Sequence, residues 1–467
     1  MAHLHERTAP SRGPAGAAVR GGVPDETPGR HAMTTSSSRT ADRLAALVRH
    51  RTVSDELERD EQEFAAFRRT LRRLYPHIHS STRLVPLPEN DSLLFHWPGR
   101  SDRHPVVLMA HHDVVPAPPS TWHHEPFAGV LGEGMVHGRG TLDDKGALAC
   151  LFDSVEDLIE AGHVPAQDIY LFSGADEETH GTGARLAAGW LQSHGVRPWL
   201  VSDEGGAIVE DMIPGARGAQ AMVAVAEKGT VDLTLLATGR GGHSSVPVTG
   251  SAIERLADAV SRVCRHDPAV RLDRTVRSMV QSLDNLPDLS HLSDADVADR
   301  LRSMGPEMAA LTATTMAVTR LSAGHADNVI ADRATASVNV RLAPGDDVDT
   351  LVARLNDLLD DLGVDVHEVR GDPPSPSSPS HGPQWDLLQR AVAAIDPHLQ
   401  VVPYLQSGST DSRYFADFAD AVHRFAPLRM SRRQRDSIHG IDEHVAIASL
   451  ADGVSFYRAL ILGLPQR

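Results

Sequence analysis

Pro105-Val106-Val107-Leu108-Met109-Ala110-His111-His112-Asp113 is the stretch on which the fold of this chain turns. An apolar run follows a proline and ends in three side chains able to bind protons or metals. A short run bounded this way reads as a strand buried on both faces, with its polar groups at the carboxyl end. The pattern recurs at 168–172, which runs into Ser173-Gly174-Ala175-Asp176-Glu177-Glu178, and at 199–202, which runs into Asp203-Glu204-Gly205. Helices are expected between these strands, at 146–159 and 184–194. Strand and helix in alternation imply an α/β sheet with crossover helices. Ligands of open α/β sheets bind beyond the carboxyl ends of the strands, and three such ends here carry His, Asp or Glu.

Working outward, apolar residues recur at three- and four-residue steps from Ala41: Leu44, Leu47 and Val48, then Phe64, Phe67, Leu71 and Leu74. These predict helices. Residues 1–40, rich in Gly, Pro, Ala and Arg at their start, are expected to be a disordered extension, and Met33 is an alternative start. After Glu227 the character changes. Residues 230–238 alternate like a half-exposed strand, and a helix is expected at 252–263. In 334–342, Ala336, Val338 and Val340 share one face, and Ser337, Asn339 and Arg341 the other. A helix at 348–362 and a strand at 364–369 complete a second strand-helix set. The expected organisation is a first domain over 41–226, a smaller inserted α+β domain over 227–371, and a return to the first domain over 372–467. Within the insert, 273–308 is polar and irregular. The stretch 372–383, dense in Pro and Ser, reads as a linker, and helices are expected at 385–395 and 444–462.

Composition narrows the function. The chain has 467 residues, 41% hydrophobic and 23% charged, as soluble globular proteins do. A net charge of -17 speaks against a nucleic-acid partner, which calls for a clustered basic face. No apolar run is long enough to span a membrane. Two isolated cysteines, Cys150 and Cys264, make neither a disulfide framework nor a thiolate metal site. The cytoplasm is the expected compartment.

Two-metal hydrolysis needs His and carboxylate ligands converging from several strand ends, one carboxylate between the ions, and a free carboxylate to deprotonate water. The chain offers His111-His112-Asp113, Asp143-Asp144-Lys145, Asp176-Glu177-Glu178, Asp203-Glu204 and His439. Each has a plainer reading alone. Paired acids are mostly solvated or sit at a helix N-terminus, and most of 26 histidines are exposed or packed. Four such clusters at strand ends and tight turns weigh the other way.

Met109-Ala110-His111-His112-Asp113-Val114-Val115-Pro116 and Gly138-Arg139-Gly140-Thr141-Leu142-Asp143-Asp144-Lys145-Gly146 resemble the zinc hydrolase family of aminoacylase, acetylornithine deacetylase, succinyl-diaminopimelate desuccinylase and glutamate carboxypeptidase. Asp176-Glu177-Glu178, Gly181-Thr182-Gly183-Ala184 and His439-Gly440 continue the match in order, over roughly residues 41–467. The wording around His111, Trp122 and Phe127 most resembles the branch of carboxypeptidase S and the N-fatty-acyl-amino-acid hydrolases. The resemblance implies an α/β catalytic domain with a mixed central sheet and an inserted ferredoxin-like lid and dimerisation domain. It implies two zinc ions, with cobalt or manganese as alternatives: one held by His111 and Asp203, the other by Glu178 and His439, with Asp143 bridging. Glu177 becomes the general base, and Asp113 the acceptor that orients His111. A cis peptide is implied at Asp143–Asp144. In Gly241-Gly242-His243-Ser244-Ser245, His243 resembles a histidine that reaches across a homodimer interface to the oxyanion. Asn328 and Arg341 resemble residues that bind the substrate carboxylate, for which the planar fork of Arg is suited, and Gly408, in Gly408-Ser409-Thr410-Asp411, a loop lining the pocket.

The chain departs from the pattern in reading Asp442-Glu443 where many members have Asn-Glu, and His444 stands as an alternative to His439. The implied substrate is an N-acyl amino acid or short peptide with a free carboxylate. The rivals are a two-zinc aminopeptidase, which recognises a free amino terminus, and a non-catalytic protein that binds an acyl amino acid. H-E-x-x-H, G-x-S-x-G, P-loop and dinucleotide glycine patterns are absent.

Overall fold

The structure is a computed structural model that describes residues 28–466 except 211, 214–217 and 284–290, with side chains from residue 38. Part of the expected extension, 1–27, lies outside the described residues; helix Pro28–Val48 covers the rest of it.

An eight-stranded mixed sheet forms the centre, in the order Arg83–Val85, Leu93–Trp97, Ile169–Gly174, Val106–His111, Leu200–Val209, Val422–Met430, Gln220–Glu227, Gln400–Gln406. Val106–His111 pairs parallel with Ile169–Gly174 on one side and with Leu200–Val209 on the other. All six of its residues are buried, because successive side chains go to opposite faces and both faces are covered. Val106, Leu108 and Ala110 join one apolar cluster, together with helices Pro28–Val48, Lys145–Glu160 and Ile447–Leu462. Val107 and Met109 join another, under helix Thr182–Ser193. Truncating a side chain such as Leu108 to Ala costs about 2–5 kcal/mol in packing of this kind.

A second sheet stands on its own apolar cluster, built from Val231, Leu233 and Leu235, the Ala336-Val338-Val340 face and the helices Ala252–Arg265 and Val348–Leu359. Its elements follow in the order β-α-β-β-α-β, and its four strands are all antiparallel, in the order Thr315–Ala323, Arg333–Leu342, Gly229–Thr238, Val364–Asp372. The segment expected to be irregular, 273–308, instead holds helices Arg274–Gln281, Asp294–Arg302 and Pro306–Ala310. Val276, Met279, Val280, Val297, Leu301 and Met308 pack into the central-sheet core rather than that of the second sheet. The outer faces of these helices are polar, so apolar residues are sparse along the segment although their helical spacing is intact. The linker at 372–383 is held along the central sheet: Ser378 N donates to Val225 O at 2.7 Å.

Candidate metal centre

His111 is the last residue of its strand, and its main-chain N–H donates to Asp144 Oδ2 at 3.2 Å. Asp143 and Asp144 precede helix Lys145–Glu160 and are joined by a cis peptide bond. Glu177 and Glu178 lie in the turn after Ile169–Gly174, where both main-chain N–H groups donate to the Asp113 carboxylate, at 3.2 and 3.1 Å. His439 lies in a left-handed conformation, φ +59°, between the short helix Arg432–Arg435 and the strand His444–Ala446.

These elements converge. Asp143 Oδ1 lies 2.9 Å from His111 Nε2, and Asp143 Oδ2 lies 3.2 Å from His439 Nε2. His439 Nε2 is also 3.0 Å from Glu178 Oε2. Donor atoms of His111, Asp143 and Glu178 all fall within 4.8 Å of one another. Asp203 is buried nearby, but its Oδ2 accepts from Ser412 N at 2.8 Å, and no hydrogen bond or ion pair joins it to His111. The nearest acceptor for His111 Nδ1 is the main-chain oxygen of Asp113, at 3.1 Å, with the Asp113 carboxylate at 3.4 Å. Asp113 therefore orients His111 mainly through its backbone, while its carboxylate shapes the turn carrying Glu177 and Glu178. His444, the alternative to His439, is turned to its own strand: its Nδ1 is 2.7 Å from Asp442 O, and its ring stacks on His137.

The electrostatics are those of crowded carboxylates. Burial pushes the Glu177 carboxyl well above its ordinary pKa, with Asp411, Glu178 and Glu204 adding to the rise. Glu204 is raised by burial and by Asp143, Asp203 and Asp144. Burial and Asp143 bring Glu178 to about 7. Hydrogen bonds to Asp143 and Glu178 lift His439 to about 10. Burial opposes the protonation of His111, and Asp113 and Asp143 override it, so that its pKa lies well above the usual value. A carboxylate group this dense calls for positive charge, and a mixed His and carboxylate donor set with no cysteine suits hydrolytic divalent metals.

Two buried ion pairs support this centre, and sequence reasoning passed over both. The Glu443 carboxylate accepts from Arg139 Nη1 at 2.6 Å, Leu142 N at 2.7 Å, Gly140 N at 3.1 Å and Asp143 N at 3.2 Å. Arg139 Nη2 donates to Gly440 O at 2.7 Å. The loop bearing Asp143 is thereby tied to the loop bearing His439. Asp442, the departure from the family pattern, faces away, with His123 Nδ1 2.6 Å from its carboxylate. In the second pair Arg424 Nε lies 3.0 Å from Glu227 Oε2, and Glu227 also accepts from Thr410 N at 3.0 Å, which holds the loop after Gly408. Arg139 and Glu443 lie some 300 residues apart and Glu227 and Arg424 roughly 200, so nothing short of long-range pairing flags these groups; the one local hint is a charge, Arg139, between two glycines.

On the second sheet, Arg341 Nη1 donates to Thr230 Oγ1 at 2.7 Å and Arg341 Nε to Asn339 Oδ1 at 3.1 Å. Its guanidinium is near enough to Glu177 and Arg413 for their charges to act on it. Thr230 Oγ1 is in turn 2.6 Å from Ser409 Oγ, beside Gly408. His243 and Asn328 are exposed on a separate two-stranded ribbon, where Gly242–His243 pairs with Val329–Ile330 and Ser244 N donates to Asn328 O at 3.0 Å. No hydrogen bond or ion pair among the described residues connects either side chain to the carboxylate cluster.

Residues 107–463 match the family model of peptidase family M20/M25/M40. The chain is 33% identical over 444 residues to a probable carboxypeptidase S-like 2 of Dictyostelium discoideum, covering 92% of this chain and 85% of that protein. It is 33% identical over 410 residues to the human N-fatty-acyl-amino acid synthase/hydrolase PM20D1, covering 85% and 82%. The fold matches that of an M20 family metallo-carboxypeptidase, Sso-CP2 from Sulfolobus solfataricus, with TM-score 0.68 and 16% identity over 90% of this chain and 98% of that one. With its histidines and carboxylates gathered at the strand ends, the chain belongs to peptidase family M20/M25/M40 and is a metal-dependent hydrolase.

Proposed function

We propose that the enzyme hydrolyses the amide bond of an N-acyl amino acid or short peptide bearing a free carboxylate, using two divalent ions, zinc in the first instance and cobalt or manganese as alternatives. The observation that carries this is Asp143: its two oxygens face two different imidazoles, His111 and His439, as a bridging carboxylate must. His111 and Asp203 would hold one ion, Glu178 and His439 the other. Such ions, when bound, polarise the scissile carbonyl and lower the pKa of water. Glu177, fixed through its N–H to Asp113, takes a proton from the attacking water and returns it to the leaving nitrogen. Arg341, braced by Thr230 and Asn339, reads the substrate carboxylate, and Asn328, exposed on the same ribbon as His243, would join it across the homodimer. That preference separates this reading from a two-zinc aminopeptidase. The Gly408 loop, tied to Arg341 through Ser409 and Thr230, closes the pocket wall.

His243 is exposed and apart from the carboxylates of its own chain, which suits a homodimer in which His243 of the partner subunit serves the oxyanion. Exposed Val246, Leu321 and Val329 on the same domain supply apolar surface for such an interface. No described helix is long and apolar enough to cross a membrane, and the free Cys150 and Cys264 suit the cytoplasm.

Glu177→Ala against Asp143→Ala tests the assignment. Glu177→Ala should keep both ions and lower kcat by about 10²–10⁴-fold, the usual worth of a positioned general base. Asp143→Ala should lose metal and turnover together. Near-normal turnover in Glu177→Ala would refute the role given to Glu177 and leave a binding protein or another base to be considered.

A further inference from the structure

Four histidines outside the metal centre, His123, His124, His137 and His444, line one open basin of about 300 Å³. It is built on a small sheet of three strands, Val130–Gly132, Met135–His137 and His444–Ala446. The last two are antiparallel, and their register sets His137 directly opposite His444. Side chains so placed share one face of the sheet, with Cβ atoms about 4.5–5.5 Å apart. The two rings stack with centroids 5.6 Å apart, and the ring of His124 meets that of His137 at 4.7 Å.

Stacked histidines often do no more than pack, but the hydrogen bonds around these point further. An imidazole that binds a metal gives the ion one ring nitrogen and donates its other N–H to a carboxylate or carbonyl, which fixes the tautomer. His444 Nδ1 lies 2.7 Å from the main-chain oxygen of Asp442, which can only accept. Nδ1 therefore carries the proton, and Nε2 keeps its lone pair. His123 Nδ1 lies 2.6 Å from the Asp442 carboxylate, which the His123 main-chain N–H also holds, at 2.8 Å. Burial and the neighbouring His124 and His444 lower the His137 pKa, so its ring is neutral at neutral pH. Two carboxylates, Glu133 and Asp442, line the basin against one arginine, Arg433, and favour a cation. At the catalytic centre, donor atoms of His111, Asp143 and Glu178 already lie within 4.8 Å of one another. In the basin His124 is exposed and turns onto the cross-strand pair by a change of rotamer, which is fast for a surface side chain.

We propose that this basin is a further metal site, rich in nitrogen: His137 and His444 chelate one divalent transition-metal ion, and His124 closes on it as the third ligand. Imidazole donors suit copper, nickel and zinc, with copper bound most tightly. On the ligands assigned above, each ion of the catalytic centre meets one imidazole, His111 or His439, among carboxylates. The number of imidazoles per ion thus tells the two sites apart.

One equivalent of Cu²⁺ added to the zinc-loaded enzyme provides the test, with released zinc measured alongside. Pulsed electron paramagnetic resonance counts the imidazoles on each copper ion through their remote nitrogens. The wild type should bind the copper without releasing zinc and show three imidazoles. His124→Ala should show two. His137→Gln should weaken copper binding by at least about 10–100-fold, the cost of losing even an outer support, with zinc content and melting temperature unchanged. His124→Ala, on an exposed side chain, keeps the test open if His137→Gln does not fold. One imidazole per copper, with zinc released in step, would put the copper in the catalytic centre and overturn the proposal. So would copper binding that is absent in the wild type, or unchanged in both variants.

Discussion

Glu443→Gln keeps the shape of the side chain but removes the charge that meets Arg139, and it puts an amide NH₂ where two or more N–H donors now converge. The Glu443 carboxylate accepts four hydrogen bonds, and both it and Arg139 are buried, at 0% and 2% exposure. Removing one partner of a buried pair leaves the other charge uncompensated and costs about 3–5 kcal/mol. Against a total stability of about 5–15 kcal/mol, that is a large loss. Urea unfolding of the chelated protein should show a midpoint lowered accordingly with little change in m. Because the same carboxylate holds the main-chain N–H of Asp143, and Arg139 holds Gly440 next to His439, the loss reaches the metal site. Metal affinity, read by competition with a chromophoric chelator, should fall about 10–100-fold, the usual effect of removing an outer support. Arg139→Met/Glu443→Met should recover much of the stability, since an apolar pair leaves no orphan charge, but not the metal affinity. A midpoint and metal affinity unchanged in Glu443→Gln would refute the role given to this pair.

His423 is buried against Trp385, its Nε2 3.3 Å from Pro379 O. Burial lowers its pKa from 6.5 to about 4. The folded state therefore binds fewer protons than the unfolded between those values, so stability present above pH 6.5 is lost as pH falls to 4, by up to about 3 kcal/mol. His423→Gln should flatten that limb of a pH-dependent urea series, and an unchanged slope would count against it. Gly206→Ala should destabilise by about 3 kcal/mol or more, since the added Cβ would lie 1.8 Å from Met222 O in the neighbouring strand. A melting temperature within a degree of the wild type would show that these strands can part.

The local patterns that sequence reasoning uses were legible where each segment decides its own state. Val106–His111 shows as a strand because both of its faces are buried, and Arg333–Leu342 because its two faces differ. Strand Val422–Met430 was not legible: it carries Arg424, Pro427 and Arg429, and its buried Arg424 is met by Glu227, from a strand adjacent in the sheet but far away in sequence, and by Thr410 and Ser375. The helices in 273–308 were hidden by their polar faces, and the core that receives them is built from elsewhere in the chain. In the site, His111, Asp143, Glu178 and His439 were readable from their motifs, and the structure brings them together. Asp203 stands in the same carboxylate group without touching His111, and His243 and Asn328 stand apart from the cluster. Arg139 and Glu443 were invisible as a pair because a single sequence carries no sign of contact between positions so far apart.

The most direct test strips the enzyme with chelator, reloads it with zinc, cobalt or manganese, and counts bound metal while measuring amine released from N-acyl amino acids and dipeptides. Each substrate is paired with its carboxamide-capped form. Release that needs about two ions per chain and disappears on capping is the predicted result. Release unaffected by capping, or none at all with two ions bound, would contradict a carboxylate-reading two-metal amidohydrolase.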